Sequence, residues 1–388
     1  MAQRICVVTG SRAEYGLLYW VLKDLQASDG VELQLLVTGM HLAREFGHTV
    51  DQIEQDGFSI SRRVDMLLSS DTRGGIAKSI GLGVIGLSDA FEQLQPDVVV
   101  LLGDRFEILA AAQACLVHNI PVAHIAGGDT TEGAFDESIR HAITKMAHLH
   151  LVTNQLAARR VRQLGEDPRR IHVVGSPGLD HLKRSSLLDR QALEAALGAP
   201  LGERNLLVTF HPVTLATSNG IEQFTELLAA LDYLDPGTTL WFTRPNADTG
   251  GRAIASALAA WAAQRPGHVH VYASLGQLRY LSLMAFVDAV VGNSSSGLYD
   301  APSFGVATVD IGGRQRGRLA AASVLHCAPE RRAIAEAIKR GIALDCSAVV
   351  NPYGDGHSAE RIVTLLRAMP PAAELLNKPF HLLEADHG

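Results

Sequence analysis

Short runs of Val, Ile and Leu alternate with longer segments of helical periodicity through the first half of the chain. The short runs lack the apolar–polar alternation of a half-exposed sheet, which is typical of parallel strands covered by helices on both faces. They predict strands at Ile5–Thr9, Val31–Val37, Val98–Leu102, Val122–Ile125, Leu149–Val152 and Ile171–Val174. Helices are predicted between them at Tyr15–Gln26, Ile76–Leu94, Phe106–His118 and Ser138–Ala147.

The same alternation begins again after a polar, charged stretch around Arg184–Arg190. It predicts strands at Leu206–Phe210, Thr239–Thr243, Val269–Tyr272, Ala289–Val291, Ala307–Ile311 and Val324–Leu325. Its predicted helices are Ile221–Leu231, Arg252–Ala263, Leu278–Phe286, Arg332–Leu344 and Ala359–Ala368. We therefore expect an α/β protein with two doubly wound, Rossmann-like domains, residues 1–183 and 184–365, and a tail over 366–388. The carboxyl ends of both sheets should face a central cleft.

The composition and charge of the chain disfavour several classes of protein. Of the 388 residues, 47% are hydrophobic and 19% are charged, as in a soluble globular protein. A formal net charge of −7 disfavours a nucleic-acid surface, and no apolar run is long enough to span a membrane. The chain opens on a predicted strand rather than a signal peptide, and its four cysteines lack the spacing of a disulfide framework or a zinc site. We expect a cytoplasmic protein without nucleic-acid or membrane partners.

Two turns in the first half carry candidate phosphate and acid/base residues. The segment Thr9–Gly16 leads from a strand into a helix, whose free N–H groups suit a phosphate, and Arg12 could add a bidentate contact. A tight turn with a surface arginine explains this segment equally well. Asp104 and Arg105 follow an apolar strand and are interpreted as an acid/base group and a phosphate ligand. The alternative is a helix N-cap beside a solvated charge.

A set of acids and histidines lies at the ends of strands or the starts of helices. Each acid alone could simply cap a helix. Together with the histidines they are expected to converge near one site. Carboxylates that share a cleft raise one another's pKa and can form acid/base pairs near neutrality. The members of this set are Asp104, Asp129, Asp136, Glu137, His124 and His148.

The second half carries segments suited to a diphosphate. His211 ends a strand and is interpreted as a hydrogen-bond donor; a metal is not expected, because no second ligand lies at a suitable spacing. Gly292–Gly297 leads from a strand into a predicted helix, so its hydroxyls and N–H groups could cradle a diphosphate, with a serine-rich linker as the alternative. Asp300 follows on that helix and could reach a ribose diol.

These segments, in this order, resemble the UDP-N-acetylglucosamine 2-epimerases, particularly the hydrolysing branch that serves sialic-type (nonulosonic) acid biosynthesis. The similarity runs from about residue 4 to 365. The matching motifs are SRAEYG (11–16), VTGMHLAREFG (37–47), GDRFE (103–107), HIAGGD (124–129), DESIRH (136–141), GSPGLD (175–180), FHPVT (210–214), RPNADTG (244–250), GNSSSG (292–297) and GGRQRGR (312–318).

The resemblance implies a GT-B fold, in which the C-terminal domain holds most of the UDP and the N-terminal domain faces the sugar. It implies nucleotide contacts by Arg12, Arg105, His211, Asn246, Ser294, Ser295 and Arg314, a ribose contact by Asp300, and a uracil contact by the backbone near Leu275. Asp104 and Asp136 match catalytic carboxylates of the family. The residues that match its active-site histidines are His41, His124 and His148.

The implied reaction needs no cofactor and no metal. UDP is eliminated to leave a 2-acetamidoglycal, and water then adds to give a free, 2-epimerised sugar. UDP-N-acetylglucosamine, giving N-acetylmannosamine, is our first choice of substrate. Relatives also suggest a homodimer or homotetramer.

Three departures from the family pattern bear on the substrate. Relatives often carry Glu at Ala126, His at Leu102 and Glu at Asp300. Asp129 could replace the acid that is missing at Ala126. Because the first two changes make the sugar side less polar, the alternative substrate is UDP-2,4-diacetamido-2,4,6-trideoxyglucose, from the legionaminic acid pathway. A GT-B glycosyltransferase, a UDP-sugar sensor without catalysis and a non-hydrolysing epimerase are further alternatives.

Overall fold

The computed structural model describes residues 2–68, 70, 72–130, 135–211, 220–244 and 251–383, and the side chains of all of these except residues 251 and 252. The chain divides into two compact units. The first comprises Met1–Lys183 and Tyr353–Gly388, and the second comprises Arg184–Pro352.

The first stretch of the chain forms a parallel sheet of seven strands with helices between them. The strands follow the order β3-β2-β1-β4-β5-β6-β7. The elements are β1 (Gln3–Thr9), α1 (Arg12–Gln26), β2 (Val31–Thr38), α2 (Val50–Gln55), β3 (Ile60–Val64), α3 (Arg73–Leu94), β4 (Val98–Leu102), α4 (Phe106–Val117), β5 (Val122–Ile125), α5 (Phe135–Met146), β6 (Leu149–Val152), α6 (Gln155–Gln163), β7 (Ile171–Val173) and α7 (Asp180–Arg184).

The second unit contains a parallel sheet of six strands, in the order β10-β9-β8-β11-β12-β13. Its elements are α8 (Arg190–Leu197), β8 (Arg204–Thr209), α9 (Ile221–Leu231), β9 (Thr238–Thr243), α10 (Gly251–Ala262), β10 (Val269–Tyr272), α11 (Gly276–Met284), β11 (Ala289–Gly292), α12 (Ser296–Tyr299), β12 (Ala307–Ile311), β13 (Val324–Cys327) and α13 (Arg331–Ala343). Two last helices, α14 (Ser358–Arg367) and α15 (Ala372–Leu376), belong to the first unit.

The central strands are buried on both faces, as their apolar sequences predict. In β1, Ile5 and Val7 pack into one cluster with Leu18 of α1, whereas Cys6 and Val8 pack into another on the opposite face. This alternation follows from the two-residue period of a strand. Because both faces are covered, the polar residues that carry chemistry can lie only at the strand ends.

The edge strand β3 is an element that the sequence patterns did not predict. Its residues Arg62 and Arg63 are exposed, and of its five residues only Val64 is buried. An edge strand needs little apolar sequence, because one side of it is open to solvent. The apolar pattern that revealed the central strands is therefore absent here.

The predicted end of the second domain at residue 365 is wrong, because α14 packs on the first unit. Ile362 and Leu366 are fully buried in the same cluster as Leu18 of α1. The helix begins under Asp180, whose carboxylate accepts hydrogen bonds from the backbone N–H groups of Ser358 (2.9 Å) and Ala359 (2.6 Å). The last part of the chain thus completes the first core instead of closing the second.

The residues after α14 also contact the first unit. Lys378 forms an ion pair with buried Glu166 (2.9 Å), and Arg170 donates to the carbonyl oxygen of Leu375 (2.7 Å). All four cysteines are free thiols. Among the helices that the structure describes, none has both the length and the apolarity needed to cross a membrane.

Candidate active site

Arg140 organises a polar cluster at the carboxyl end of the first sheet. It projects from α5 and is buried, and its guanidinium donates to the carboxylate of Asp104 and to the carbonyl oxygen of Asp129 (2.7 Å). Asp104 follows β4 and Asp129 follows β5, so one arginine joins the ends of two neighbouring strands. Arg140 was not among the predicted site residues, although it lies within the motif DESIRH.

The acids of this cluster influence one another's protonation. Burial raises the pKa of Asp104, the charge of Arg140 opposes that rise, and the negative charge of Asp136 adds to it. The charge of Asp136 also raises the pKa of Glu107. The charge of Asp136 thus acts on the carboxyl groups of this cluster, and its catalytic role stays a prediction. Glu137 is half-buried on the same turn of α5, 3.8 Å from the ring of His141.

Asp129 has a structural task in addition to its place near Arg140. One oxygen of its carboxylate accepts hydrogen bonds from Thr153 (2.8 Å) and Asn154 (3.3 Å), just before α6. Burial raises its pKa, while these donors oppose the rise. Asp129 thus stabilises the start of α6. That it also replaces the family glutamate absent at Ala126 as a catalytic acid stays a prediction.

Arg105 is held by two buried glutamates that the sequence analysis did not single out. Its Nε and Nη2 atoms donate to the two carboxylate oxygens of Glu107 (3.2 Å each), and Glu14 lies 3.8 Å away. Glu107 is fully buried, and burial raises the pKa of Glu14 to about 8, with the charge of Glu107 adding to the effect. These two glutamates lie within the motifs SRAEYG and GDRFE, so membership of these motifs could have identified them from the sequence.

The turn after β1 was predicted to bind a phosphate, but side chains of the same segment already engage two of its backbone N–H groups. The N–H group of Gly10 donates to Glu14 (2.8 Å), and Ser11 caps α1 by accepting from the N–H of Glu14 (3.4 Å). Arg12 begins the helix with an exposed side chain. Gly10 is thus engaged with Glu14, and the predicted phosphate contact would fall to Arg12 and the next N–H groups.

Two of the predicted active-site histidines are buried and fully engaged. The ring nitrogens of His41 contact the hydroxyls of Thr9 (3.0 Å) and Thr49 (2.7 Å). Those of His124 contact the carbonyl oxygen of Gly103 (2.8 Å) and the hydroxyl of Thr144 (3.1 Å). Burial lowers the pKa to about 4 for His41 and about 3 for His124, so both rings are neutral near pH 7. His124 thereby supports the turn that carries Asp104 and Arg105, and His41 joins the end of β1 to the segment before α2.

The prediction that His148 joins the carboxylates is wrong. It immediately precedes β6, and its backbone pairs with Val122, the first residue of β5. His148 therefore lies at the amino ends of the parallel strands, whereas Asp104 and Asp129 lie after carboxyl ends. Burial lowers its pKa to about 4, and the charge of Lys378 lowers it further.

Ala126 follows β5 directly, and Leu102 is the last residue of β4. Ala126 has a left-handed backbone (φ 62°), which is uncommon for a residue other than glycine, and it is partly buried. Leu102 is buried in the core cluster of α1. The side chain at the end of β4 therefore belongs to the core.

In the second unit, Asn293 joins the segments that were predicted to hold a diphosphate. Its buried side-chain amide exchanges hydrogen bonds with the backbone of His211 (2.7 and 2.9 Å), which links the ends of β8 and β11. Its carbonyl oxygen accepts from Arg314 (3.1 Å) and Gln315 (2.7 Å). His211, Ser294 and Arg314 are thereby brought together around one asparagine, which the sequence analysis quoted only within GNSSSG.

The helix after this segment is short and ends before Asp300, which was predicted to lie on it. α12 has four residues, and Ser295 precedes it as the N-cap. So short a helix has a weak dipole, because the dipole grows with the number of aligned peptide units. Positive charge for an anion must therefore come from side chains such as Arg314. Ser294 contacts Ser296 (3.2 Å), which in turn bonds to Tyr280 (2.5 Å).

Asp300 and Leu275 are the remaining predicted nucleotide residues that the structure describes. Burial raises the pKa of Asp300 to about 7. Leu275 is buried at the start of α11, and its carbonyl oxygen accepts a hydrogen bond from Arg279 (2.7 Å). Asn246, the last predicted nucleotide residue, lies outside the described residues.

Two parallel sheets with chemistry at their strand ends define the class as a two-unit α/β enzyme with Rossmann-like halves. A family model for UDP-N-acetylglucosamine 2-epimerase matches residues 23–367, and the chain belongs to this family. The family resemblance inferred from the motifs is thereby confirmed, as is the expectation of an enzyme.

Curated relatives and a solved structure support this assignment. The chain is 39% identical to the GDP/UDP-N,N'-diacetylbacillosamine 2-epimerase (hydrolyzing) of Campylobacter jejuni, over 83% of this chain and 84% of that protein. It is 35% identical to the UDP-N,N'-diacetylbacillosamine 2-epimerase (hydrolyzing) of Legionella pneumophila, over 97% and 99%. UDP-GlcNAc 2-epimerase from Neisseria meningitidis bound to UDP-GlcNAc has a TM-score of 0.77 at 18% identity, covering 95% of this chain and 100% of that one. The predicted GT-B fold class is confirmed.

Proposed function

We propose that the protein eliminates UDP from a UDP-linked 2-acetamido sugar and releases the 2-epimerised free sugar. The observation that carries this proposal is the cluster of Asp104, Asp136 and Arg140 at the carboxyl end of the first sheet. A buried carboxyl group with a raised pKa can remove and return a proton near neutral pH. Asp104 is such a group, and Arg140 and the charge of Asp136 complete the cluster around it.

The first step breaks the bond between C1 of the sugar and the diphosphate. Asp104 removes the proton from C2, and the electron pair of that C–H bond forms the C1–C2 double bond. The electron pair of the C1–O bond leaves with UDP, so the products are UDP and a 2-acetamidoglycal. In the second step the oxygen of a water molecule bonds to C1 and that water loses one proton to the solvent, while the electron pair of the C1–C2 double bond takes a proton at C2 from the opposite face. The set Asp129, Asp136 and Glu137 supplies this proton, the donor is reprotonated from solvent, and Asp104 returns its proton to solvent.

The second unit is proposed to bind UDP. The departing diphosphate gathers negative charge, and donors aimed at it stabilise the transition state more than the bound substrate. The support is the way Asn293 brings His211, Ser294 and Arg314 together. We propose further contacts by Ser295, Asn246, Arg12 and Arg105 to the nucleotide, by Asp300 to the ribose, and by the backbone near Leu275 to the uracil.

Two sugars were predicted from the sequence, with UDP-N-acetylglucosamine first. The names of the Campylobacter and Legionella relatives favour the alternative, UDP-2,4-diacetamido-2,4,6-trideoxyglucose. The small apolar residue Ala126 points the same way, since relatives often have a glutamate there, whereas the side chain of Leu102 lies in the core and gives no such support. We therefore propose the diacetylated, 6-deoxy sugar as the substrate and nonulosonic acid biosynthesis as the pathway, in the cytoplasm.

Proton NMR in deuterated water tests the reaction and the sugar together. The protein is incubated separately with each UDP-sugar, without any acceptor. We expect UDP and a free 2-epimerised sugar that carries deuterium at C2, formed faster from the diacetylated sugar. The variant Asp104→Asn should release UDP at least about a hundredfold more slowly, because its amide cannot accept the proton.

Each alternative function gives a different result in this experiment. Release of UDP only after a sugar acceptor is added would identify a glycosyltransferase. A product that remains attached to UDP would identify a non-hydrolysing epimerase. Binding without turnover of either sugar would identify a sensor.

A further inference from the structure

A pocket of about 430 Å³ lies beside Arg105 in the first unit. It is formed by the turn after β2, the segment after β3 and the starts of α3 and α4. Its apolar lining consists of Met40, Phe46, Leu67, Leu68, Ile76 and Phe106. A volume of this size accommodates a substituted hexose ring rather than a water molecule.

Two large apolar side chains that line the pocket remain exposed to solvent in the folded protein. Phe46 is 49% exposed and Leu68 is 39% exposed, although both side chains are large and apolar. A concave apolar surface with a few polar groups is typical of a small-molecule site. The pocket thus offers contact area to a ligand with methyl groups.

Of the four polar residues that line the pocket, Ser70, Ser79 and Arg105 are engaged within the protein, and Glu45 is exposed. Ser79 accepts a hydrogen bond from the N–H of Leu68 (3.1 Å), and the hydroxyl of Ser70 contacts that of Thr72 (2.9 Å). Arg105 is held by Glu107. A sugar hydroxyl placed among the apolar side chains would therefore lose its water without gaining a full set of partners.

The pocket adjoins the acid/base cluster through Arg105. Nη2 of Arg105 contacts Sδ of Met40 (3.2 Å), and both residues line the pocket. Asp104 is the residue next to Arg105 in the chain. A sugar whose C2 lies at Asp104 is therefore next to a residue that lines the pocket.

We propose that this pocket selects the substrate by receiving the C4–C6 end of the sugar, where it contacts the 4-acetamido methyl group and the C6 methyl group. The inference rests on the proposed function, because it assumes that the sugar is turned over at Asp104. Ile76 and Leu68 are specificity-determining residues in this arrangement. The hydroxyls that UDP-N-acetylglucosamine carries at C4 and C6 are disfavoured in the same place.

The test compares kcat/KM for release of UDP from the two UDP-sugars. The variants are Ile76→Ser and Leu68→Ser, and the matched control is Ile85→Ser, on the same helix as Ile76 but 65% exposed and outside the pocket. We expect each pocket variant to lower the preference for the diacetylated sugar by about tenfold or more, since one lost apolar contact in a pocket has an effect of this size. The control should retain the preference of the unaltered protein.

Unchanged preference in both pocket variants, with turnover retained, would overturn the pocket assignment and leave the proposed function standing. A preference of the unaltered protein for UDP-N-acetylglucosamine would overturn it too. Failure to release UDP from either sugar would instead defeat the proposed function, and the inference with it. Because Leu68 is partly exposed, Leu68→Ser should fold even if Ile76→Ser does not, and circular dichroism checks this for each variant.

Discussion

At the scale of single residues, burial decides what the charged and titratable groups of this protein can do. Asp104 keeps a raised pKa beside Arg140, which suits a group that exchanges protons. His41 and His124 are kept neutral by burial, and both ring nitrogens of each are engaged, so they serve the turns around them. The sequence shows which residue types are present, whereas burial is set by chain segments that are distant in sequence.

The raised pKa of Asp300 predicts how binding of UDP depends on pH. In the free protein its pKa is about 7, and ribose hydroxyls that donate to the carboxylate favour its ionised form, which lowers the pKa in the complex. Protonation therefore competes with binding as the pH falls. By linkage, the Kd for UDP should rise about tenfold between pH 8 and pH 6. Isothermal titration calorimetry across this range measures the change.

The variant Asp300→Asn provides the control for this pH dependence. UDP ionises identically in both experiments, so any difference between the two pH profiles belongs to the carboxyl group. The profile of the variant should be flatter. Identical profiles for the two proteins would show that Asp300 does not contact the nucleotide.

At the scale of elements, short apolar runs predicted most strands and helical periodicity predicted most helices, and three of the elements that these patterns missed or misplaced have clear physical reasons. β3 is an edge strand with exposed arginines, so it lacks the apolar run of a covered strand. α12 ends after four residues and is followed by a single 3-10 turn that contains Pro302. α14 has a clear apolar face, but no local pattern states which of two cores will bury that face.

The attachment of α14 to the first unit depends on a buried cap. Asp180 accepts from two N–H groups at the start of α14, and removing such a cap costs about 1–2 kcal/mol. We expect Asp180→Ala to increase amide hydrogen exchange across residues 358–367, measured by mass spectrometry of peptides. The variant Asp189→Ala removes an exposed cap of α8 in the second unit and should leave α14 protected. Equal protection of α14 in both variants would contradict the role of Asp180.

At the scale of the whole molecule, the chain passes twice between its two units, because the last residues return to the first. Ile362, Val363 and Leu366 are buried in the core of the first unit. Burying each such side chain contributes about 1.5–3 kcal/mol, so the three together are comparable to the net stability of a typical domain. The first unit is therefore not complete at residue 183.

Truncation of the chain tests this dependence. A protein that ends at Pro352 should expose the face of α1 that α14 covers, bind a hydrophobic dye and lose the cooperative unfolding of its first unit. A protein that ends at Ala368 keeps α14 and should unfold cooperatively, with a smaller loss of stability. If the shorter protein unfolds as cooperatively as the longer one, α14 is dispensable for the first core.

The sequence by itself determined the two parallel sheets, most strand positions and the family, because apolar runs and motif order are local properties of the chain. Only the tertiary structure decided that Arg140 and Glu14 support the site, since their contacts with Asp104 and Arg105 join segments far apart in sequence. It also decided that His148 lies at the opposite end of the strands and that α14 belongs to the first core. Strand direction and the sharing of a core depend on how segments pack, and no single segment contains that information.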